Sequence, residues 1–155
     1  MTPQQWAFAA AVGSFTLLAG AYLFQALGYP PCTMCYWQRW PHMAAVGIGV
    51  LFFTFGARAL AYLGACAAFA TSAIGVYHTG VERKWWDGPS SCSGGGGLDG
   101  LSGADLLAID GPVLVMCDQV SWAFLGFSMA SWNALFSAIL VIMWLIAAKN
   151  LPSRG

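Results

Sequence analysis

The sequence predicts an all-α membrane protein, a four-transmembrane-helix bundle with two loops on its outer side. Three observations predict it. First, 59% of the 155 residues are hydrophobic and only 8% are charged. A soluble domain carries about 25% charged residues, so this chain cannot cover its surface with polar groups and lipid must be much of its solvent. Second, four stretches are long enough to cross about 30 Å of hydrocarbon, which takes about 20 residues of helix. Third, the eight Trp and five Tyr suit a membrane protein, because amphipathic rings collect at the headgroup level. The zero formal net charge argues against a nucleic-acid or acidic-surface partner.

The first stretch runs from near Trp6 to Ala26 without a charge. Met1 to Gln5 contains no Lys or Arg, and the apolar run outlasts the core of about 7–15 residues found in cleaved secretion signals. It reads as a retained anchor and the first span. The second stretch starts at Tyr36 or Pro41 and ends at Phe55, because Pro41 either begins the helix or kinks one already under way. The third covers Ala59 to Tyr77 and the fourth Phe124 to Ala148. Between the second and third, Gly56-Ala57-Arg58 leaves room only for a tight turn. The organisation is one domain, 1–155, with spans of about 6–26, 36–56, 59–78 and 124–148 and outer loops of about 27–35 and 79–123.

The loops are unequal. Gly28-Tyr29-Pro30-Pro31 is short and leads into Cys32, whereas the stretch from Gly80 to Trp122 is long and holds all six acidic residues. Its Gly94 to Gly97 run favours flexibility, and Ala104 to Ile109 is expected to form a short surface helix. Four spans put both loops on one face and both termini on the other. Basic residues do not orient the bundle: Arg58, Lys149 and Arg154 on one side balance Arg39, Arg83 and Lys84 on the other. Disulfides persist in oxidising compartments, so the cysteine-bearing loops are expected to face outward and both termini the cytoplasm.

Cys32-Thr33-Met34-Cys35 is the strongest local signal. Two thiols at this spacing at a helix start can close a small disulfide, and the positive end of the helix dipole favours a thiolate there. Haem attachment requires His at position 36, where Tyr36 stands. A closed zinc site requires four ligands and no second short-spaced pair exists, so no metal is expected. Redox activity is favoured over a structural bridge. Arg39, four residues after Cys35, shares its face one turn on if the helix has begun. There it either snorkels at the interface or stabilises a thiolate or a quinone carbonyl. Cys92 and Cys117 form a second candidate pair, a structural staple or a redox partner that exchanges with the first. Cys66, among Gly64, Ala65, Ala67 and Ala68, reads as a small packed residue. His78 either caps a helix end or touches a ring bound near Arg39, Trp85 and Trp86 read as interfacial anchors, and His42 as a polar residue near the outer boundary.

Taken together these motifs resemble the bacterial disulfide bond formation protein B (DsbB) family. Pro31-Cys32-Thr33-Met34-Cys35-Tyr36-Trp37-Gln38-Arg39 looks like the family's first-loop motif with its arginine. Tyr77-His78-Thr79-Gly80-Val81-Glu82 with Trp85-Trp86 resembles the start of the second outer loop. Cys117-Asp118, Trp122, Phe124-Leu125-Gly126 and Ser131-Trp132-Asn133-Ala134 resemble its end. The Gly/Ser-rich stretch from Ser90 to Gly103 departs from the pattern.

The resemblance implies a quinone-dependent thiol oxidoreductase of the bacterial inner membrane, monomeric and surrounded by lipid. Its partner would be a periplasmic thioredoxin-fold thiol oxidase (DsbA-like), and its electron acceptor ubiquinone or menaquinone. Catalytic residues would be Cys32, Cys35, Cys92 and Cys117, with Cys92 the sulfur attacked by the partner. Cys117 would exchange with Cys32, leaving Cys35 as the thiolate that faces the quinone. Arg39 would position and polarise the quinone, with His78 as a further candidate. Two other readings stand beside it. A vitamin K epoxide reductase-like protein carries its short-spaced pair after its loop cysteines, the reverse of the order here. A non-catalytic scaffold with structural disulfides leaves the grouping of Cys32, Cys35 and Arg39 unexplained.

Overall fold

A computed structural model describes residues 1–90, 92 and 116–152. The stretches 94–97 and 104–109, with their expected flexibility and surface helix, lie outside the described residues, as does Arg154. Four long helices make up most of the described chain: α1 Pro3–Ala26, α2 Thr33–Phe55, α3 Arg58–Glu82 and α4 Met129–Asn150. A two-residue hairpin, β1 Ala123–Phe124 with β2 Phe127–Ser128, precedes α4.

Each boundary has a local cause. Thr2 and Gln5 close a capping box on α1, with Pro3 in the first turn. The sulfur of Cys32 is the N-cap of α2, accepting the Cys35 N–H at 3.2 Å. The helix therefore starts before Tyr36 and runs through Pro41. Gly56, at φ +60°, ends α2 by donating its N–H to Phe52 O, and Ala57 caps α3 at once, so the tight turn is as expected. The third helix continues past Tyr77 to Glu82, and Trp85 N–H then bonds back to Gly80 O. The fourth starts at Met129 and not at Phe124. Leu125 and Gly126 both take positive φ to turn the hairpin, and Ser128 then caps the helix through Ser131 N–H.

Around the bundle, α1 packs on α2 and α4, and α3 packs on the same two. Three helices, α1, α3 and α4, are long and apolar enough to cross a membrane. α2 has the length, but Gln38, Arg39 and His42 lower its hydropathy, and all three are buried inside the bundle. At the end that bears the chain termini the core is Ala7, Ala10, Phe52, Ala61, Ala65, Ala68, Leu140 and Trp144. Small residues let helices close there: a Cβ on Gly64 would meet the Trp144 ring at 2.6 Å. Cys66 points the other way. It is exposed on the outer face of α3, while its neighbours Gly64, Ala65 and Ala68 face inward, so the expectation that it packs in the interior is corrected.

Candidate functional site

At the opposite end of the bundle, Cys32, Cys35, Met34, Val81, Cys92 and Cys117 form one packed cluster. The loop cysteines are joined, Cys92 to Cys117, and the Cys117 N–H donates to Cys92 O at 3.1 Å. Cys32 and Cys35 are thiols with their sulfurs 2.8 Å apart. The hydrogen bond to Cys35 and burial hold the Cys32 thiol well above the usual cysteine range. Cys32 therefore keeps its proton and shares it with Cys35. The end of the outer loop is pinned beside them by an exposed ion pair, Lys84 with Asp118, and the Lys84 hydrogen bond holds the Asp118 carboxyl below its usual range.

His78 reaches this cluster from α3. Its Nε2 lies 3.6 Å from Cys32 Sγ and 3.8 Å from Glu82 Oε1. It thus touches the Cys32–Cys35 pair and is not a helix cap. Arg39 reaches the same region from α2. Its Nη1 donates to Gln25 Oε1 at 2.7 Å and its Nη2 to Ala21 O at 3.3 Å, and the guanidinium stacks between the rings of Tyr22 and Tyr36. A side chain buried to 6% exposure and held by α1 is not snorkelling.

Cys32, Cys35, Arg39 and His78 line one cavity of about 420 Å³, walled by apolar and aromatic side chains including Leu17, Phe24, Tyr29, Trp122 and Trp132. The sequence reading gave no site role to three of its polar residues, Gln38, His42 and Asn133, or to Gln25, which holds Arg39 from outside the lining. His42 is buried in the bundle and bonded to Asn133 Oδ1 at 2.9 Å. The signal was present. Gln38, Arg39 and His42 interrupt an otherwise apolar helix, and polar residues within such helices turn inward. Trp86 does more than anchor: its Nε1–H donates to Tyr77 O and its ring covers Gly80.

The DsbB profile, described as disulfide bond formation protein DsbB, matches residues 3–147. The chain belongs to the DsbB family. Curated relatives named disulfide bond formation protein B agree. That of Albidiferax ferrireducens is 28% identical over 96% of this chain and 88% of its own length. That of Verminephrobacter eiseniae is 31% identical over 83% and 76%, and that of Aromatoleum aromaticum 28% over 84% and 84%. No solved structure matches. As a DsbB-family protein the chain is a disulfide-forming oxidoreductase of a membrane, with a mostly helical fold whose apolar helices meet lipid.

Proposed function

We propose that this DsbB-family protein oxidises a periplasmic thioredoxin-fold thiol oxidase and delivers the electrons to a membrane quinone, through Cys92–Cys117 and then Cys32–Cys35. It does so as a single domain of four spans in the bacterial inner membrane, with both termini cytoplasmic and both loops periplasmic. The fourth span is α2, whose outward face carries Trp37, Trp40, Met43, Val50, Leu51 and Phe53 and is as suited to lipid as its inner face is not.

The single observation that carries this function is the adjacency of two cysteine pairs to one apolar cavity holding a buried arginine. Its volume falls in the range of about 300–1,000 Å³ typical of small-molecule sites. The Arg39 Nε–H, buried, has no acceptor among the described residues. A quinone carbonyl supplies an acceptor of that kind, so the residues fit the group. Ring binding there would fall to Arg39 with the aromatic wall, and a bound quinone supplies a sink for two electrons and two protons.

The chain's own steps balance. A dithiol of the partner attacks Cys92, Cys117 leaves as a thiolate, and the partner closes its disulfide as Cys92 is released. Cys117 then attacks Cys32 of an oxidised Cys32–Cys35 pair and Cys35 leaves. Attack by Cys92 on the mixed disulfide restores Cys92–Cys117 and leaves Cys32 and Cys35 reduced, the arrangement of the thiols described above. Re-forming Cys32–Cys35 releases two electrons and two protons, the number a quinone takes up on becoming a quinol. Arg39 would hold the acceptor, and His78 Nε2 lies 3.6 Å from the Cys32 sulfur.

The test is quinone reduction by the purified protein, dependent on a reduced thioredoxin-fold partner, with short-chain ubiquinone and menaquinone analogues. Replacing Cys32, Cys35, Cys92 or Cys117 by Ser in turn is expected to abolish it. Full turnover after loss of any one of the four would refute the relay.

A further inference from the structure

A chain of buried and partly buried hydrogen bonds crosses three helices and ends on Cys32. Gln38 Nε2 lies 3.2 Å from Met34 O and 2.9 Å from His78 Nδ1. Asn133 Nδ2 lies 2.8 Å from Gln38 Oε1 and 3.1 Å from Thr71 Oγ1, and Asn133 Oδ1 lies 2.9 Å from His42 Nε2. Thr71 Oγ1 in turn lies 3.0 Å from Gln38 O.

Two backbone carbonyls fix the direction of every bond. Met34 O only accepts, so the Gln38 atom facing it is the amino group, and the second amino proton goes to His78 Nδ1. Gln38 O only accepts, so Thr71 spends its proton there and must accept from the Asn133 amino group. Asn133 Oδ1 is then left to accept from His42. The bonds therefore run head to tail: His42 Nε2–H to Asn133, Asn133 to Gln38, Gln38 to His78 Nδ1. In a neutral ring whose Nδ1 accepts, the proton sits on Nε2. That Nε2–H faces Cys32 Sγ at 3.6 Å, with Glu82 Oε1 beside it at 3.8 Å.

We propose that Gln38 and Asn133 are positioning residues that lock His78 in the Nε2–H tautomer, making it a hydrogen-bond donor to the Cys32 sulfur and not a base. This rests on the thiol relay proposed above for its functional consequence, but the tautomer itself does not. When Cys117 attacks Cys32, or Cys32 closes on Cys35, negative charge passes through the cluster, and a fixed donor stabilises it without reorganisation.

The chain has two histidines, His42 and His78, so nitrogen-15 NMR of the full-length protein labelled at histidine gives two ring systems, assigned with a His42→Gln variant. The wild-type His78 ring is expected to be bare at Nδ1 and protonated at Nε2. A proton on Nδ1 would overturn the proposal whatever the variants do. Gln38→Glu replaces the donor by an acceptor and is expected to move the proton to Nδ1, with partner-to-quinone turnover falling about tenfold. Gln38→Met, which offers neither, is expected to leave a mixture. An unchanged His78 tautomer in folded Gln38→Glu would remove Gln38 from the role. An absence of quinone reduction in the wild type would instead sink the relay and leave the tautomer result standing.

Discussion

Arg39 separates the structural and functional meanings of a single side chain. Its two Nη groups are committed to Gln25 and Ala21, and its plane is stacked by Tyr22 and Tyr36. A Lys is a point charge on a flexible stem and cannot repeat that fork. Arg39→Lys is expected to raise the quinone requirement roughly ten- to a hundredfold, the equivalent of one charge-assisted hydrogen bond of about 1.5–3 kcal/mol. Arg39→His is expected to raise it further. Steady-state quinone titration reads the effect, and a single-turnover assay of mixed-disulfide formation at Cys92, a step that needs no quinone, is the control; equal loss in both assays means misfolding. Cys32 gives a second residue-scale expectation. Its thiol is held above the usual range, so its charged form is scarce at neutral pH and gains only as pH rises past the free-thiol value. Alkylation of the reduced protein is therefore expected to modify Cys35 well before Cys32 at pH 7, with the gap narrowing in strong base, as peptide mass spectrometry can follow. The cysteine motif and Arg39 were legible in the sequence because their chemistry depends on local spacing. Gln25, some fourteen positions from Arg39, and Asn133, ninety-five from Gln38, were not, because only tertiary packing brings them together.

The helices were legible to within a few residues, and their ends were not. Apolar content extends the fourth helix back to Phe124, but two consecutive left-handed residues, Leu125 and Gly126, form a turn that hydropathy cannot register. Likewise α2 begins at Thr33 because a cysteine sulfur caps it, a role that Cys shares with no standard capping signal. Inter-helix spacing depends on residues without side chains. Gly64 admits the Trp144 ring, which is fully buried and packed edge-on against Phe52. That ring cannot retreat, so a β-carbon on Gly64 has to push α3 and α4 apart. Gly64→Ala is expected to lower the stability in detergent, with an overpacking cost of about 1–3 kcal/mol. Gly47 on α2 has open space where its β-carbon would stand, so Gly47→Ala is expected to cost nothing and to gain slightly from helix propensity. Thermal unfolding of both variants beside the parent checks the contrast, and equal melting temperatures would show that the α3–α4 contact is looser than described.

At the scale of the whole molecule, polarity runs from one end of the bundle to the other. The end bearing the termini is alanine, glycine, Phe52 and Trp144; the middle holds the Gln38–Asn133–His42 chain; the far end gathers the cysteine cluster. Composition alone fixes the lipid environment, but it leaves orientation open, since the basic residues divide evenly. The proposed relay sets the expectation, because exchange of disulfides with a soluble partner needs the loop cysteines in an oxidising compartment. The native loop pair is buried as well as joined, and is a poor reporter of side. Exposed positions at the two ends serve better: Gln119, beside Cys117, and Pro152, just beyond α4. With an impermeant maleimide on intact cells, Gln119→Cys is expected to label and Pro152→Cys to label only once the inner membrane is permeabilised. The parent protein reports background, including any reaction at the lipid-facing Cys66. The reverse pattern would put the cysteine cluster in the reducing cytosol and remove the periplasmic partner from the mechanism. Labelling of both positions in intact cells would put both outside, which requires an even number of crossings between them and would deny that α4 crosses the membrane.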